Sequence, residues 1–259
     1  MTRFFADKSE ISDKDITLNA QDTAHIRSLR LRPDELFIVC DGEETDYVCK
    51  LLGTADIKSL AKEKCAIAEI VEKRRSKGEP TIKCSAFIAY AKGDRLDYAV
   101  QKSVELGVYE INLFPSERCV SVPNDTEKKI ARFQKISLET AKQCNRGIVP
   151  VVNAAKSFKE AVALAIKADM PLLPYECEDR LGLKKALEQG LKGKASYEKS
   201  QAKVVSIMTG PEGGFSEKEA EYAVENGMLA VTLGSRILRC ETAPAAVLAA
   251  IMYHTENLG

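Results

Sequence analysis

The residues best suited to chemistry in this chain gather at three points in its carboxyl-terminal half. In TGPEGGFSEKEAE (209–221), Gly210, Gly213 and Gly214 stand beside Pro211 and Glu212. They lie between the β-branched stretch AKVVSIM, read as a buried strand, and a helix opened by Ser216 with Glu219 three residues on, the spacing of a capping box. So much bare backbone at a strand-to-helix turn lets main-chain groups approach a ligand closely. LGSRILRCETA (233–243) is similar in kind: a glycine at a strand end, then a loop carrying Glu241 beside Thr242, which caps the last helix. LLPYE (172–176) ends a third strand. Neither GxxxxGK[ST] nor GxGxxG occurs, so these loops suit a ligand held by backbone N–H and C=O groups better than a triphosphate.

Other chemistries have little footing. The two histidines, His25 and His254, are far apart, and neither neighbours a serine or cysteine in a nucleophile motif. Eight cysteines are scattered without a CxxC, which implies no metal site and reduced thiols in a cytosolic protein. No run approaches the roughly 20 apolar residues of a membrane helix, and MTRFFADKSEISDKD lacks the apolar core of a signal peptide. The 38 basic and 38 acidic side chains balance, which argues mildly against a general nucleic-acid binder. Basic residues nonetheless cluster at KRRSKGEPTIK, at EKKIARFQK, and at Lys142 with Arg146.

The elements that must position these loops change character along the chain. Residues 1–72 are strand-like and punctuated by turns, as in ELFIVCDGEETDYVCKLLG, and read as a small β-barrel or compact sheet. The polar stretch 73–81, closed by Gly78 and Pro80, reads as a linker. From residue 82 to 259 strands alternate with helices, which predicts an α/β fold with a mainly parallel sheet and ligands at the carboxyl ends of its strands. The last helix, APAAVLAAIMYHT, has no polar face and is expected to be buried by its own domain or by a partner.

GPEGGFSEKE followed by LGSRILRCETAPAAVLA resembles the signature of the RsmE family, 16S ribosomal RNA uridine-N3 methyltransferases of the SPOUT superfamily. The resemblance extends to RFF, HIRSLRLRPDE, KGDRLDYAVQKSVELGV, ERCV and RFQKISLETAKQCNRGIVP. Phe133 stands where the family often has tryptophan, and Cys119 where a small polar residue is expected. The resemblance implies a PUA-like β-barrel RNA-binding domain followed by a SPOUT domain with a carboxyl-terminal trefoil knot, a rare exception to unknotted topology. It implies S-adenosylmethionine as cofactor, no metal, a homodimer through the SPOUT domain, and a cytoplasmic enzyme acting on uridine 1498 of 16S ribosomal RNA in the small subunit.

The cofactor-binding residues implied are Leu173, Pro174, Tyr175 and Glu176; Thr209, Gly210, Pro211, Glu212, Gly213 and Gly214; and Leu233, Gly234, Ile237, Leu238, Arg239, Thr242 and Ala243. Uridine N3 must lose its proton before it attacks a methyl group, so a cation that stabilises the uracil anion or a base that takes the proton is required. Arg146 and Arg239 are the candidate cations and Glu241 the candidate base. Arg3, His25, Arg27, Arg30, Arg32, Arg146 and Arg236 are the expected RNA contacts. Competing readings are a SPOUT methyltransferase acting on another RNA base or on transfer RNA, a non-catalytic ribosome-assembly protein, and a metabolic nucleotide-binding enzyme.

Overall fold

The chain divides into two units. The computed structural model describes residues 1–32, 34–51, 65–123, 125–191 and 203–258. One unit comprises Met1–Glu79 with Ala141–Val149, the other Pro80–Thr140 with Pro150–Gly259.

In the first unit, β1 (Arg3–Phe5), β2 (Asp15–Thr17), β3 (Phe37–Cys40), β4 (Thr45–Leu51) and β5 (Ile67–Arg75) form a sheet of order β1-β3-β4-β5-β2. β1 runs parallel to β3 and the other pairs are antiparallel. Phe4, Ile16, Ile26 and Phe37 are central to its core. Ala20–Leu29 forms helix α1 within a stretch expected to be strand-like. Asn19 caps it, its side chain accepting from the Asp22 N–H at 2.8 Å. The apolar stripe is thin: Ile26 is the one apolar side chain among the three residues α1 buries, so the helical period was weak.

The stretch 73–81, expected as a linker, carries ordered structure in part. β5 runs through Arg75, Ser76 is buried, and the Glu79 side chain is only 2% exposed. The first unit thus ends at Glu79 rather than residue 72, and it takes in residues 141–149, which were expected within the second domain. The expected strand ends at Leu52, Gly53 and Lys64 and the helix end at Lys192 and Gly193 lie outside the described residues.

Two buried ion pairs knit this unit together. Arg3 donates to both Asp46 carboxylate oxygens at 2.7 and 2.8 Å, and the Cys40 thiol donates to Asp46 at 3.1 Å. Arg146 meets Glu79 through two hydrogen bonds of 2.9 and 2.8 Å, and Glu79 also accepts from the Gly147 and Ile148 amides. Burial alone would raise the Asp46 carboxyl, but hydrogen bonds from Arg3 and Cys40 and the charge of Arg3 hold it below its ordinary 3.8. An unfolded chain therefore binds the proton first as pH falls. The stabilisation is fully present above that ordinary value and is lost as pH drops through the lower native one. Asp46→Asn is expected to remove this acid-side slope, read as the urea midpoint from about pH 3 to about pH 7.

The second unit contains β6 (Lys83–Ala89), α2 (Arg95–Glu105), β7 (Glu110–Phe114), α3 (Thr126–Gln143), β8 (Val151–Ala154), α4 (Phe158–Ala165), β9 (Met170–Pro174), α5 (Leu183–Gly190), β10 (Val204–Thr209), α6 (Glu217–Glu225), β11 (Leu229–Val231) and α7 (Thr242–His254); the last residues of α3 fall in the first unit. The expected mainly parallel sheet is present: six strands, all parallel, in the order β11-β9-β10-β6-β7-β8. β6 and β10, at its centre, are buried along almost their whole length, which is why they read as continuous apolar runs. β8 was not anticipated; its alternate residues Val151 and Asn153 are exposed and its run is only four residues.

α7 packs on α2, α5, β6 and β10. It buries Pro244, Val247, Leu248, Ile251 and Met252, but Tyr253 is 76% exposed and Ala245, Ala246, Ala249 and Ala250 are only partly covered. Burial on every side is thus not reached within one chain.

Candidate functional site

Strand register brings the three candidate segments to one edge. β9 pairs Pro174 with Val231 of β11, and β10 pairs Ile207 with Leu172 of β9. Two residues further along, Thr209 is level with Pro174, so the loops beginning at Tyr175, Gly210 and Thr232 leave the sheet side by side. They enclose a cleft of about 870 Å³. Ligand sites in parallel sheets occur at this carboxyl edge.

The glycine turn is built from short-range bonds. The Gly214 N–H donates to the Pro211 carbonyl at 3.0 Å, and Gly214 has φ +66, a conformation L side chains rarely adopt. Ser216 and Glu219 form the capping box the sequence announced. Glu219 has a second task, accepting from the Ser116 hydroxyl at 3.0 Å and the Glu117 amide at 2.9 Å. The turn is therefore braced by the segment that follows β7.

Glu212 projects from the turn toward β6. Its Oε1 accepts from the Lys92 N–H and from Arg95, both at 2.8 Å, while Oε2 is buried without a hydrogen-bond partner. Burial by itself would raise this carboxyl, but the Lys92 amide and the Arg95 guanidinium hold it below the ordinary 4.5. It remains ionised throughout neutral pH. The ion pair is partly exposed, 43% on the arginine side, and pairs of that kind contribute about 0–1 kcal/mol to stability. Stability is thus a weak reason for this pair to stand on a cleft wall.

Of the expected cofactor residues, Pro174, Tyr175, Glu176, Thr209, Gly210, Pro211, Glu212, Gly213, Gly214, Leu233, Gly234, Ile237, Leu238, Arg239 and Ala243 line the cleft. Leu173 is fully buried in β9 and Thr242 is exposed at the start of α7, and neither lines it. Arg236 and Glu241 do, Arg236 being exposed and Glu241 accepting from the Cys240 thiol at 3.2 Å. Burial and the Glu241 carboxylate push that thiol up to about 12. Iodoacetamide at about pH 8 is therefore expected to label exposed Cys65 and Cys177 well before Cys240, checked by peptide mapping.

Arg146 is not among the cleft residues. It lies in the first unit with its side chain 3% exposed and its guanidinium paired with Glu79. Arg3, another expected RNA contact, is likewise buried on Asp46. His25, Arg30 and Arg32 are exposed in and just after α1, and Arg27 is half-buried there.

Sequence reasoning missed Arg95, Glu178, Asp179, Phe215, Thr232, Ser235 and Cys240 among the lining residues. Arg95 had a usable signal: it follows the strand IKCSAFIAYA and so belongs to the same carboxyl edge.

The fold and the cleft are those of a class of RNA-modifying enzyme. Residues 78–252 match the family described as RNA methyltransferase domain. Ribosomal RNA small subunit methyltransferase E of Bacillus subtilis (strain 168) is 31% identical over 100% of this chain and 98% of its own. The enzyme of the same name from Mesomycoplasma hyopneumoniae (strain 232) is 29% identical over 94% of this chain and 95% of its own. A crystal structure of the Neisseria gonorrhoeae protein, bound to S-adenosyl methionine, superposes with a TM-score of 0.76 at 31% identity, covering 98% of this chain and 97% of that one. The chain belongs to the ribosomal RNA small subunit methyltransferase E family.

Proposed function

We propose that this protein transfers a methyl group from S-adenosylmethionine to N3 of one uridine in the 16S ribosomal RNA of the small subunit. The observation that carries the reading is the cleft at the ends of β9, β10 and β11, in a chain whose full-length relatives are named as ribosomal RNA small subunit methyltransferases. The residues present fit the cofactor. Five carboxylates, Glu176, Glu178, Asp179, Glu212 and Glu241, line the cleft against three arginines, Arg95, Arg236 and Arg239. That excess suits a sulfonium cation and disfavours a polyphosphate. The buried, unpartnered Oε2 of Glu212 offers an acceptor to a hydrogen-bond donor or cation, and the glycine turn leaves backbone open to an adenosine.

Bound there, S-adenosylmethionine supplies an already activated methyl carbon, so the protein's task is alignment and management of one proton. The three loops hold the cofactor between main-chain groups. Arg239, exposed on the cleft wall, offers guanidinium donors to charge on the uracil, and Glu241 is the proposed proton acceptor.

Further elements of the reading rest on particular features. A trefoil knot is supported by the path after β11: the Thr232 N–H donates to Leu181 O at 2.9 Å and Thr232 O accepts from the Leu183 N–H at 3.1 Å. The chain then crosses the ends of β9 and β10 to reach α7 on β10 and β6. A homodimer is supported by the incompletely covered α7 and by Ile237, 87% exposed. A PUA-like RNA-binding role for the first unit is supported by its five-stranded sheet and by His25, Arg30 and Arg32 at its surface. A cytoplasmic location is supported by the proposed action on the small subunit.

The test is incorporation of tritiated methyl groups from S-adenosylmethionine by the full chain into purified small subunits that lack the modification. Label in 16S ribosomal RNA is expected. Label in transfer RNA, or cofactor binding with no transfer to any subunit form, would overturn the reading.

A further inference from the structure

Two arginines, Arg95 in KGDRLDYAVQKSVELGV and Arg118 in ERCV, reach the glycine turn from the β6–β7 side of the sheet. The proposed cofactor loops leave β9, β10 and β11. Beyond β10, the sheet continues β6-β7-β8. Arg95 opens the helix after β6 and donates to Glu212 Oε1 at 2.8 Å. Arg118 follows β7 and donates to the Gly213 carbonyl at 3.0 Å. Consecutive residues of one turn are thus each gripped by a guanidinium arriving from the β6–β7 side.

Both arginines are held in place from behind. Glu212 is fixed by the Lys92 amide, so it orients Arg95 as well as neutralising part of its charge. The backbone before Arg118 is tied to the start of α6, where Ser116 and Glu117 bond to Glu219 and the Ser216 hydroxyl donates to Glu117 at 2.7 Å. A Cβ on Gly213 would stand 3.0 Å from the Arg118 Cβ, so the two segments are in close contact. Yet both side chains stay in solvent: Arg95 is 43% exposed and Arg118 is exposed. A guanidinium carries five N–H donors, and one hydrogen bond to the turn leaves the others for a ligand.

We propose that Arg95 and Arg118 form the acceptor-nucleotide subsite, Arg95 meeting the uracil anion and Arg118 a neighbouring phosphate. This rests on the function proposed above. Arg95 lines the same cleft as Arg239 and Glu241 but reaches it from the β6 side, so an acceptor base entering at that edge meets Arg95 on one side and the loop after β11 on the other. The chemistry requires such a group. The N3–H bond breaks first, its proton passing to a carboxylate or to solvent and its electron pair spreading over N3, O2 and O4. The N3 pair then forms the bond to the methyl carbon while the carbon–sulfur bond breaks and leaves its electrons on sulfur. A cation facing O2 or O4 favours the anion before transfer and lets go once the methylated base is neutral.

The experiment uses the full chain, small subunits lacking the modification, and tritiated S-adenosylmethionine. Arg95→Gln is expected to lower kcat about 100-fold at neutral pH, with a rate that climbs to higher pH than in the parent enzyme because the anion now forms unaided. Arg95→Lys, which keeps the charge, should recover roughly tenfold of that loss. Arg118→Gln is expected to raise KM about tenfold with kcat little changed. It should also reduce the slope of log KM against log salt by about one, the signature of one lost phosphate contact. Cofactor affinity, measured calorimetrically without RNA, should stay within about twofold in all three variants, which also establishes that they fold. Weakened cofactor binding with normal kcat in Arg95→Gln would place this arginine on the cofactor carboxylate and overturn the proposal. So would unchanged KM, kcat and pH profile in both glutamine variants. Failure of the parent enzyme to methylate subunits would instead strike the proposed function itself.

Discussion

Arg146→Ala is expected to destabilise the first unit rather than to slow a chemical step. The mutation strips the charge partner from Glu79, whose carboxylate is 2% exposed and which would keep only the Gly147 and Ile148 amides. Removing one member of a buried ion pair costs about 3–5 kcal/mol because the remaining charge is left uncompensated. Against a total stability of about 5–15 kcal/mol, that loss can leave the unit substantially unfolded at physiological temperature. Urea denaturation is the measurement, with the midpoint falling and the denaturant slope unchanged if unfolding stays two-state. The double variant Glu79→Leu/Arg146→Met should recover much of the stability, since neither charge then has to be desolvated. A normal midpoint in Arg146→Ala together with abolished turnover would instead favour the catalytic role that the residue type suggested.

Gly214→Val is expected to remove cofactor binding while leaving most of the fold intact. At φ +66 an ordinary L residue is strained by about 1–2 kcal/mol, and a β-branched one fares worse. The added Cβ would also clash with Glu176 Oε1. Glu176 is exposed and can swing aside, but it then leaves its place on the cleft wall. Both routes of relief disturb the surface the cofactor meets, so the dissociation constant for S-adenosylmethionine should rise at least about tenfold, equivalent to roughly 1.4 kcal/mol. Gly182→Ala is the matching control, because a Cβ at Gly182 meets nothing within 4 Å and its φ of −73 suits any residue. Equal affinities in Gly214→Val and the parent protein would remove the glycine turn from the cofactor site.

What the sequence made legible was the part encoded locally. The capping box at Ser216 and Glu219, the buried runs of β6 and β10, and the glycines at the strand ends follow from short patterns, and the structure contains each of them. The parallel sheet followed from alternation of period-2 and period-3.6 segments. Long-range pairing was not legible. Arg146 and Glu79 are 67 residues apart in sequence, and nothing local in QCNRG or SKGEP reveals that they meet. The same blindness hid Arg95, whose partner Glu212 is 117 residues away, and made residues 73–81 look like a free linker when Glu79 is a buried anchor. α1 was missed for a different reason, since a helix that buries Asp22 and Thr23 beside Ile26 has little apolar period to read.

The measurement that bears most directly on the central claim is the position of the transferred methyl group. Small subunits lacking the modification would be incubated with the full chain and S-adenosylmethionine, and the 16S ribosomal RNA digested and sequenced by mass spectrometry. A single N3-methyluridine at one nucleotide is the predicted result. A methyl group on a ribose, on a carbon or on another base would leave the cleft a methyltransferase site and contradict the uridine-N3 assignment.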